Sequence, residues 1–111
     1  MLKKDVLRKK KDFSALYNKG KSVKGRCLIL IYRKNGLTYN RKAFLASKKV
    51  GNSVKRNRAR RLMKESFRVL EKDIEEGYDI LFIARYNIIY VKCNDVRKAM
   101  ETVLNKSKLT G

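Results

Sequence analysis

The stretch at residues 46–65 reads ASKKVGNSVKRNRARRLMKE and carries the strongest structural signals of the chain. Asn52 and Ser53 each offer an N-cap, because short polar side chains accept hydrogen bonds from the free N–H groups that begin a helix. We predict a long helix over residues 54–75, which ends before Gly77.

This predicted helix has two unlike faces. Its apolar positions recur at the helical period and form one stripe, which we expect to pack against a core. Its other face is basic, and its cations crowd the start of the helix while acids crowd the end, which opposes the helix dipole. The stripe consists of Ala59, Leu62, Met63, Phe67, Leu70 and Ile74, and the basic face of Asn57, Arg60, Arg61, Lys64 and Arg68.

The charge of this face points to a polyanion. Residues 13–64 contain no Asp or Glu, so the face lacks the mixed signs of an ordinary solvated helix, which is the alternative. The whole chain has 30 Lys+Arg against 10 Asp+Glu, a formal net charge of +20. We interpret the basic face as a surface that binds nucleic acid.

Strands are predicted on both sides of the basic block. Residues 27–32 form a continuous aliphatic run, and residues 41–47 form a second strand after the Asn35-Gly36 turn, so we expect an antiparallel pair. Residues 79–85 are nearly all apolar and predict a central strand. Residues 88–91 are either a short edge strand or an extended loop.

Two further helices complete the pattern. Asp12 caps a short helix that ends at Gly20, with Phe13, Leu16 and Tyr17 on one face. Asn94 or Asp95 caps a last helix. The core face of the last helix consists of Val96, Ala99, Met100, Val103 and Leu104.

The predicted fold is a single-domain α+β sandwich of a mostly antiparallel central sheet with helices.

The length of 111 residues predicts one domain over residues 1–111, which includes the basic face, with a basic segment at residues 1–11 that we expect to fray. No signal peptide or membrane span is expected, and two unpaired cysteines, of which Cys27 is expected in the core, suit a reducing cytoplasm.

The absence of histidine excludes a histidine base and a Cys/His zinc site. Glu75, Glu76 and Asp79 are expected to be solvated. We therefore predict no catalytic and no metal site on this chain.

Three motifs resemble one known family, the bacterial ribonuclease P protein subunit. The run at residues 47–65 is similar to the family signature, and Arg56-Asn57-Arg58 followed by Arg60-Arg61 resembles its RNR motif. Residues 12–22 resemble the first helix and turn of the family, and residues 79–85 resemble its central strand. The resemblance covers nearly the whole chain.

The resemblance implies a fold like the second domain of ribosomal protein S5, with a left-handed βαβ crossover around the basic helix. It also implies that a catalytic RNA subunit uses Mg²⁺ to cut precursor tRNA and release the mature 5′ end. The protein would bind this RNA in a 1:1 complex and contact the 5′ leader of the precursor through a cleft beside the first helix. A ribosomal or other structural RNA-binding protein without a processing role is the alternative, and a stand-alone endoribonuclease is less favoured because it needs clustered carboxylates.

The same resemblance assigns residues to two surfaces. The leader cleft would include Phe13, Tyr17, Ser22 and Tyr32, with core packing as the alternative for Phe13 and Tyr17. Whether Ile31 or Tyr32 faces the cleft is open, because adjacent strand residues face opposite sides. The RNA subunit would contact Lys48, Lys49, Asn52, Lys55, Arg56, Asn57, Arg58, Arg60, Arg61 and Lys64. The basic residues near the N-terminus, which would touch either RNA without fixed geometry, are Lys3, Lys4, Arg8, Lys9, Lys10 and Lys11.

Overall fold

The computed structural model describes residues 4–110. One 3-10 turn, Glu71–Asp73, follows the second helix, and another, Tyr86–Tyr90, follows the last strand. We name the turn Tyr86–Tyr90 the tyrosine turn. The arrangement is the predicted α+β sandwich. The helices are Lys10–Lys19 (α1), Ser53–Leu70 (α2) and Cys93–Lys106 (α3), and the strands are Lys21–Lys24 (β1), Leu28–Lys34 (β2), Arg41–Leu45 (β3) and Tyr78–Ala84 (β4).

The strand order of the sheet is β1-β2-β4-β3. β1 with β2 and β2 with β4 pair antiparallel, whereas β3 pairs parallel with β4. β4 is central, as predicted, because Ile80, Leu81 and Phe82 are fully buried and therefore need cover on both faces. The predicted antiparallel pairing of residues 27–32 with residues 41–47 is wrong, since β4 lies between these strands.

β3, α2 and β4 form a parallel crossover that carries the basic helix. A parallel pair needs such a long connection, and α2 provides it. The left hand of this crossover stays a prediction from the family resemblance.

Alternation along the strands divides the core between the two faces of the sheet. Leu30 and Phe82 belong to the larger cluster, which α2 and α3 cover. Ile31 and Leu81 belong to the smaller cluster on the other face, which Leu16 of α1 covers. The apolar stripes of α2 and α3 pack into the larger cluster. The predicted apolar positions of α3 are all buried, as are those of α2 up to Phe67.

α2 begins as predicted and ends early. Asn52 is the N-cap, and its Oδ1 accepts a hydrogen bond from the backbone N–H of Lys55 at 3.1 Å. The helix stops at Leu70 rather than at residue 75. Ile74 is buried, but it reaches the core from outside the helix, where it bridges to Thr110.

The other helix ends differ from the predictions by a few residues. α1 is preceded by Lys9, and Asp12 lies within its first turn instead of capping it. α3 has Lys92 at its N-cap position, and the Asp95 carboxylate accepts a hydrogen bond from the Lys92 backbone N–H at 3.4 Å. Of residues 88–91, predicted as a short edge strand or an extended loop, residues 88–90 belong to the tyrosine turn and Val91 follows it.

The segment before α1 is docked along β3. The Leu7 N–H donates to the carbonyl of Lys42 and the Lys42 N–H donates to the carbonyl of Asp5, both at 2.9 Å. Leu7 is buried in the smaller core cluster, so the expected fraying does not extend to residues 5–7. Lys3 lies outside the described residues. Across residues 4–110, no helix is both long and apolar enough to span a bilayer.

A buried ion pair fastens α1 and β3 to β4. The Arg41 guanidinium donates to both Asp79 oxygens at 2.8 Å and to Asp12 at 3.3 Å. Asn35 adds a hydrogen bond to Asp79 at 3.0 Å. The hydrogen bond to Asp79 raises the pKa of Arg41. The expectation that Asp79 is solvated is therefore wrong, because its carboxylate is buried against this guanidinium.

Candidate nucleic-acid interface

The entry to α2 places lysines beside its first turn. Gly51 has φ of 142°, and a Cβ at this position would lie 2.6 Å from the Lys55 Cδ atom, so glycine permits the tight approach. The Gly51 N–H donates to the carbonyl of Lys48 at 3.1 Å. This turn holds Lys48 and Lys49 exposed next to the basic face.

Nearly all residues assigned to the RNA subunit lie at the surface. Arg56 and Arg60 are half-buried, so part of each long side chain packs against the protein. No acidic residue stands in the first turn of α2. Within residues 4–110, none of these cations forms a salt bridge. The exposed members are Lys48, Lys49, Asn52, Lys55, Asn57, Arg58, Arg61 and Lys64.

Hydrogen bonds on α2 orient part of this face. Arg60 donates to the Oδ1 atom of Asn57, and Arg56 donates to the Ser53 hydroxyl at 3.3 Å. The Arg56 Nε atom is buried and has no partner among the described residues. Arg58 and Arg61 make no such contact within that part of the chain, so their guanidinium forks are available to a phosphate.

The charges on α2 oppose the helix dipole at only one of its ends. Cations without acids occupy the first turn of α2, as predicted, and this costs stability. Its last turn contains Arg68, whereas Asp73, Glu75 and Glu76 lie beyond the helix. The predicted excess of acids at the C-terminal end is wrong because the helix stops at Leu70.

The residues assigned to the leader cleft divide between the two faces of the sheet. Phe13 packs partly buried against the smaller cluster, while Tyr17 on the same helix is 54% exposed. Ser22 is exposed and pairs directly with Ile31, so both lie on the α1 face. The structure therefore brings Phe13, Tyr17 and Ser22 to one side.

Tyr32 does not join them. It packs against the larger cluster on the opposite face, with its ring centroid 6.3 Å from that of Tyr78. Its assignment to the same cleft is wrong, and Ile31 is the residue that faces α1. Pairing with Ser22 and Leu81 places Ile31 on the α1 face. Because adjacent strand residues face opposite sides, Tyr32 lies on the other face.

One groove connects the two assigned surfaces. It has a volume of about 590 Å³ and lies along the β3 edge. Phe13 of α1 and Leu45 of β3 line one side, and Lys64 and Arg68 of α2 line the other. An RNA strand that occupies this groove would touch the α1 face and the basic helix together.

Sequence reasoning missed Lys42, which also lines this groove. Burial lowers the pKa of Lys42, but hydrogen bonds and charges from Glu71 and Asp5 outweigh burial and raise the pKa overall. Its ammonium lies 2.8 Å from Glu71 and 3.1 Å from Asp5. A lone lysine in a strand gives no sequence signal, because its partners come from distant segments.

The remaining assigned cations lie around the N-terminal segment. Lys4 is exposed, and its ammonium lies 4.6 Å from the centre of the Tyr39 ring. Arg8 donates to the carbonyl of Val6 at 3.4 Å. Lys9, Lys10 and Lys11 are exposed. The contacts of all these residues with RNA stay predictions.

The carboxylates nearest the groove are already engaged. Asp12 and Asp79 pair with Arg41, and Asp5 and Glu71 pair with Lys42. In the described part of the chain, no group of three or more His, Cys, Asp or Glu side chains is placed to hold a metal ion. The surface presents donors and cations, which bind phosphate and sugar oxygens.

Comparison with known proteins identifies the family. Residues 1–108 match the family model described as Ribonuclease P. The chain belongs to the ribonuclease P protein family. The ribonuclease P protein component of Alkaliphilus metalliredigens is 43% identical over 109 residues and covers 98% of both chains. That of Caldanaerobacter subterraneus subsp. tengcongensis is 40% identical over 103 residues, or 93% of this chain and 89% of the relative.

The fold is that of the same family. The structure of the Staphylococcus aureus RNase P protein matches with a TM-score of 0.88 at 31% identity, covering 98% of this chain and 100% of that one. These matches confirm the family and the fold predicted from sequence. The function is therefore that of a protein component of ribonuclease P, a ribonucleoprotein of tRNA processing, and the ribosomal alternative is not favoured.

Proposed function

We propose that the exposed face of α2 binds the catalytic RNA of ribonuclease P, while the α1 face of the sheet binds the 5′ leader of precursor tRNA. The observation that carries this proposal is the groove along β3, which is lined by Phe13 from α1 and by Lys64 from α2. The two RNAs would therefore meet on one continuous surface, and the protein would position the leader relative to the catalytic RNA.

On α2, the guanidinium groups supply the main contacts. Arg58 and Arg61 are exposed, and each planar fork can donate two parallel hydrogen bonds to a phosphate. Asn57 is oriented by its hydrogen bond with Arg60, which leaves the amide nitrogen of Asn57 to donate to a sugar hydroxyl or base edge. Lys48 adds a charge without a fixed direction.

On the α1 face, an aromatic ring and an apolar floor suit a single strand. Tyr17 exposes about half of its side chain. Ile29 and Ile83 pair directly across β2 and β4 and are only half-buried. A single-stranded leader has unpaired bases that stack on such rings, whereas the folded body of a tRNA has few.

We further propose that the RNA subunit, with Mg²⁺, carries out the hydrolysis. The carboxylates beside the groove are already engaged by Arg41 and Lys42. The groups that this chain offers to RNA are therefore its cations and hydrogen-bond donors. One protein would bind one RNA subunit. Cys27 is buried and Cys93 is exposed, both without a disulfide, which suits the reducing cytoplasm.

A cleavage assay tests where the chemistry resides. Precursor tRNA is incubated with the protein alone, the RNA subunit alone and both together, with Mg²⁺ and then with excess chelator. We expect the 5′ leader to be released only where the RNA subunit and Mg²⁺ are present, and the protein to increase the rate. Cleavage by the protein alone would overturn the proposal.

Tyr17→Ala tests the leader surface. Loss of one stacked base is expected to lower the affinity of the assembled complex for precursor tRNA by about 1–3 kcal/mol. Affinity for mature tRNA, which lacks the leader, should change little. Tyr17 suits this test better than Phe13, because Phe13 is part of the smaller core cluster.

Tyr17→Phe is the matched control for this experiment, since it keeps the ring and removes only the hydroxyl. It is expected to bind both RNAs as the wild type does. An equal loss of affinity for precursor and mature tRNA in Tyr17→Ala would show that Tyr17 supports the fold and does not read the leader.

A further inference from the structure

The tyrosine turn exposes two large aromatic side chains. Tyr86 is 61% exposed and Tyr90 is 79% exposed, although the turn itself is well anchored. Ile88 between them is fully buried in the larger core cluster. Five residues of 3-10 helix extend about 8 Å between the two tyrosines, so neighbouring nucleotides of one strand can reach both.

Hydrogen bonds tie this turn to the connection between β1 and β2. The Asn87 side-chain amide donates to the carbonyl of Arg26, and Arg85 donates to the carbonyl of Gly25, both at 2.9 Å. The turn also packs against α2 on its other side. The turn that carries the two tyrosines therefore lies between α2 and the β1–β2 connection, at the end of the sheet where β4 finishes.

A second basic groove continues from that connection. This groove, which we name the α3 groove, has a volume of about 360 Å³ and lies between the β1–β2 connection and α3. One carboxylate, that of Asp95, lines it, and this group accepts a hydrogen bond from the Lys92 backbone. In residues 4–110, none of its cations forms a salt bridge. These cations are Lys24, Arg26, Lys98 and Lys106.

We propose that the tyrosine turn and the α3 groove form a second binding surface for the catalytic RNA that α2 holds. Unpaired bases stack on Tyr86 and Tyr90, and the adjoining phosphates lie among the four cations of the α3 groove. This inference rests on the proposed function, because RNA held by α2 passes beside the tyrosine turn. The chemistry fits RNA on both counts: stacking is sequence-tolerant, and four cations against one engaged carboxylate attract a polyanion.

The chain supplies charge-matched variants to test the groove. Lys98→Gln/Lys106→Gln removes two positive charges from the α3 groove. Lys34→Gln/Lys72→Gln removes two exposed charges outside this groove, one on β2 opposite the start of β4 and one in the Glu71–Asp73 turn. Affinity is measured over a series of salt concentrations, first for the RNA subunit and then, with the assembled complex, for precursor tRNA.

We expect the groove variant to bind about tenfold more weakly, with a log–log salt slope smaller by about one to two, while the control stays within about twofold of the wild type. Loss toward the RNA subunit is the expected result. Loss toward precursor tRNA alone would overturn the assignment of this surface to the catalytic RNA. If the groove variant and its control had equal affinities and equal salt slopes in both assays, the proposal of a second surface would be overturned.

The aromatic contacts are tested separately. Tyr86→Leu/Tyr90→Leu keeps apolar bulk but removes the rings, and we expect a loss of at least about tenfold in the same assay. Tyr86→Phe/Tyr90→Phe should restore binding. Wild-type protein that fails to bind the RNA subunit would count against the proposed function and this surface together. Normal wild-type binding with unaffected Leu and Gln variants would count against this surface alone.

Discussion

We expect Asp79→Ala to lower the free energy of unfolding by about 3 kcal/mol. The Asp79 side chain is 7% exposed and accepts two hydrogen bonds from Arg41 and one from Asn35. Among residues 4–110, removing it leaves the Arg41 side chain, which is 22% exposed, with Asp12 as its one remaining partner. The loss lies at the lower end of the range for buried pairs because this partner remains. Urea unfolding measures it.

Two variants make the interpretation specific. Asp79→Asn keeps the shape and one acceptor oxygen, so we expect it to lose about half as much stability. Glu76→Ala removes an exposed carboxylate from the preceding turn and should change the free energy of unfolding by less than about 0.5 kcal/mol. If Asp79→Ala lost no more stability than Glu76→Ala, the ion pair would be unimportant for folding.

This network explains why the sequence did not reveal the role of Asp79. In the sequence, Asp79 stands near Glu75, Glu76 and Gly77, where acids normally face solvent. Its partner Arg41 is 38 residues away and becomes adjacent only because β3 pairs with β4. A charge that is paired through tertiary structure leaves no local pattern.

Periodic features, by contrast, were predictable. The apolar stripe of α2 and the core face of α3 follow from the helical period, and the centre of the sheet follows from the apolar run of β4. Asn52 was one of two cap candidates, with Ser53, because short polar side chains accept hydrogen bonds from the free N–H groups that begin a helix. β1 was missed because its residues, Lys21–Lys24, are mostly exposed and give no alternating apolar signal.

The order of the strands was the main error, and it has a general cause. The Asn35-Gly36 pair does form a turn, since Gly36 has φ of 74° and the Asn35 Oδ1 accepts the Leu37 N–H at 2.7 Å. A turn signal fixes the local bend but not which strand becomes the neighbour. Here the nearly all-apolar β4 takes the centre of the sheet, where strands pair with both of its edges and both of its faces are covered, and it therefore separates β3 from β2.

The same topology determined which candidate site residues meet. Ile31 and Tyr32 are adjacent in sequence, and only the pairing of β2 with its neighbours shows that Ile31 faces α1. The basic face of α2 needed no such information, because charge and helical period lie within one segment. Its meeting with Phe13 in the β3 groove depended on the crossover and was not predictable.

The largest effect on RNA binding is expected from Arg58→Ala/Arg61→Ala. Both side chains are exposed, and in residues 4–110 neither is engaged in a salt bridge. Each charge-assisted hydrogen bond to a phosphate contributes about 1.5–3 kcal/mol, so the double variant should bind the RNA subunit at least 100-fold more weakly. The log–log salt slope should decrease by about one unit or less for each lost phosphate contact.

In Arg58→Ala/Arg61→Ala, the affinity for RNA and the free energy of unfolding should respond differently, which separates an effect on binding from an effect on folding. The net charge falls from +20, so self-repulsion falls, and the free energy of unfolding should stay unchanged or rise slightly. Arg58→Lys/Arg61→Lys keeps the charge but loses the planar forks, so it should retain the salt slope and lose part of the affinity. Lys34→Gln/Lys72→Gln is the charge-matched control. An unchanged slope in Arg58→Ala/Arg61→Ala would show that these guanidinium groups do not touch phosphate, because counterion release depends on the contact itself.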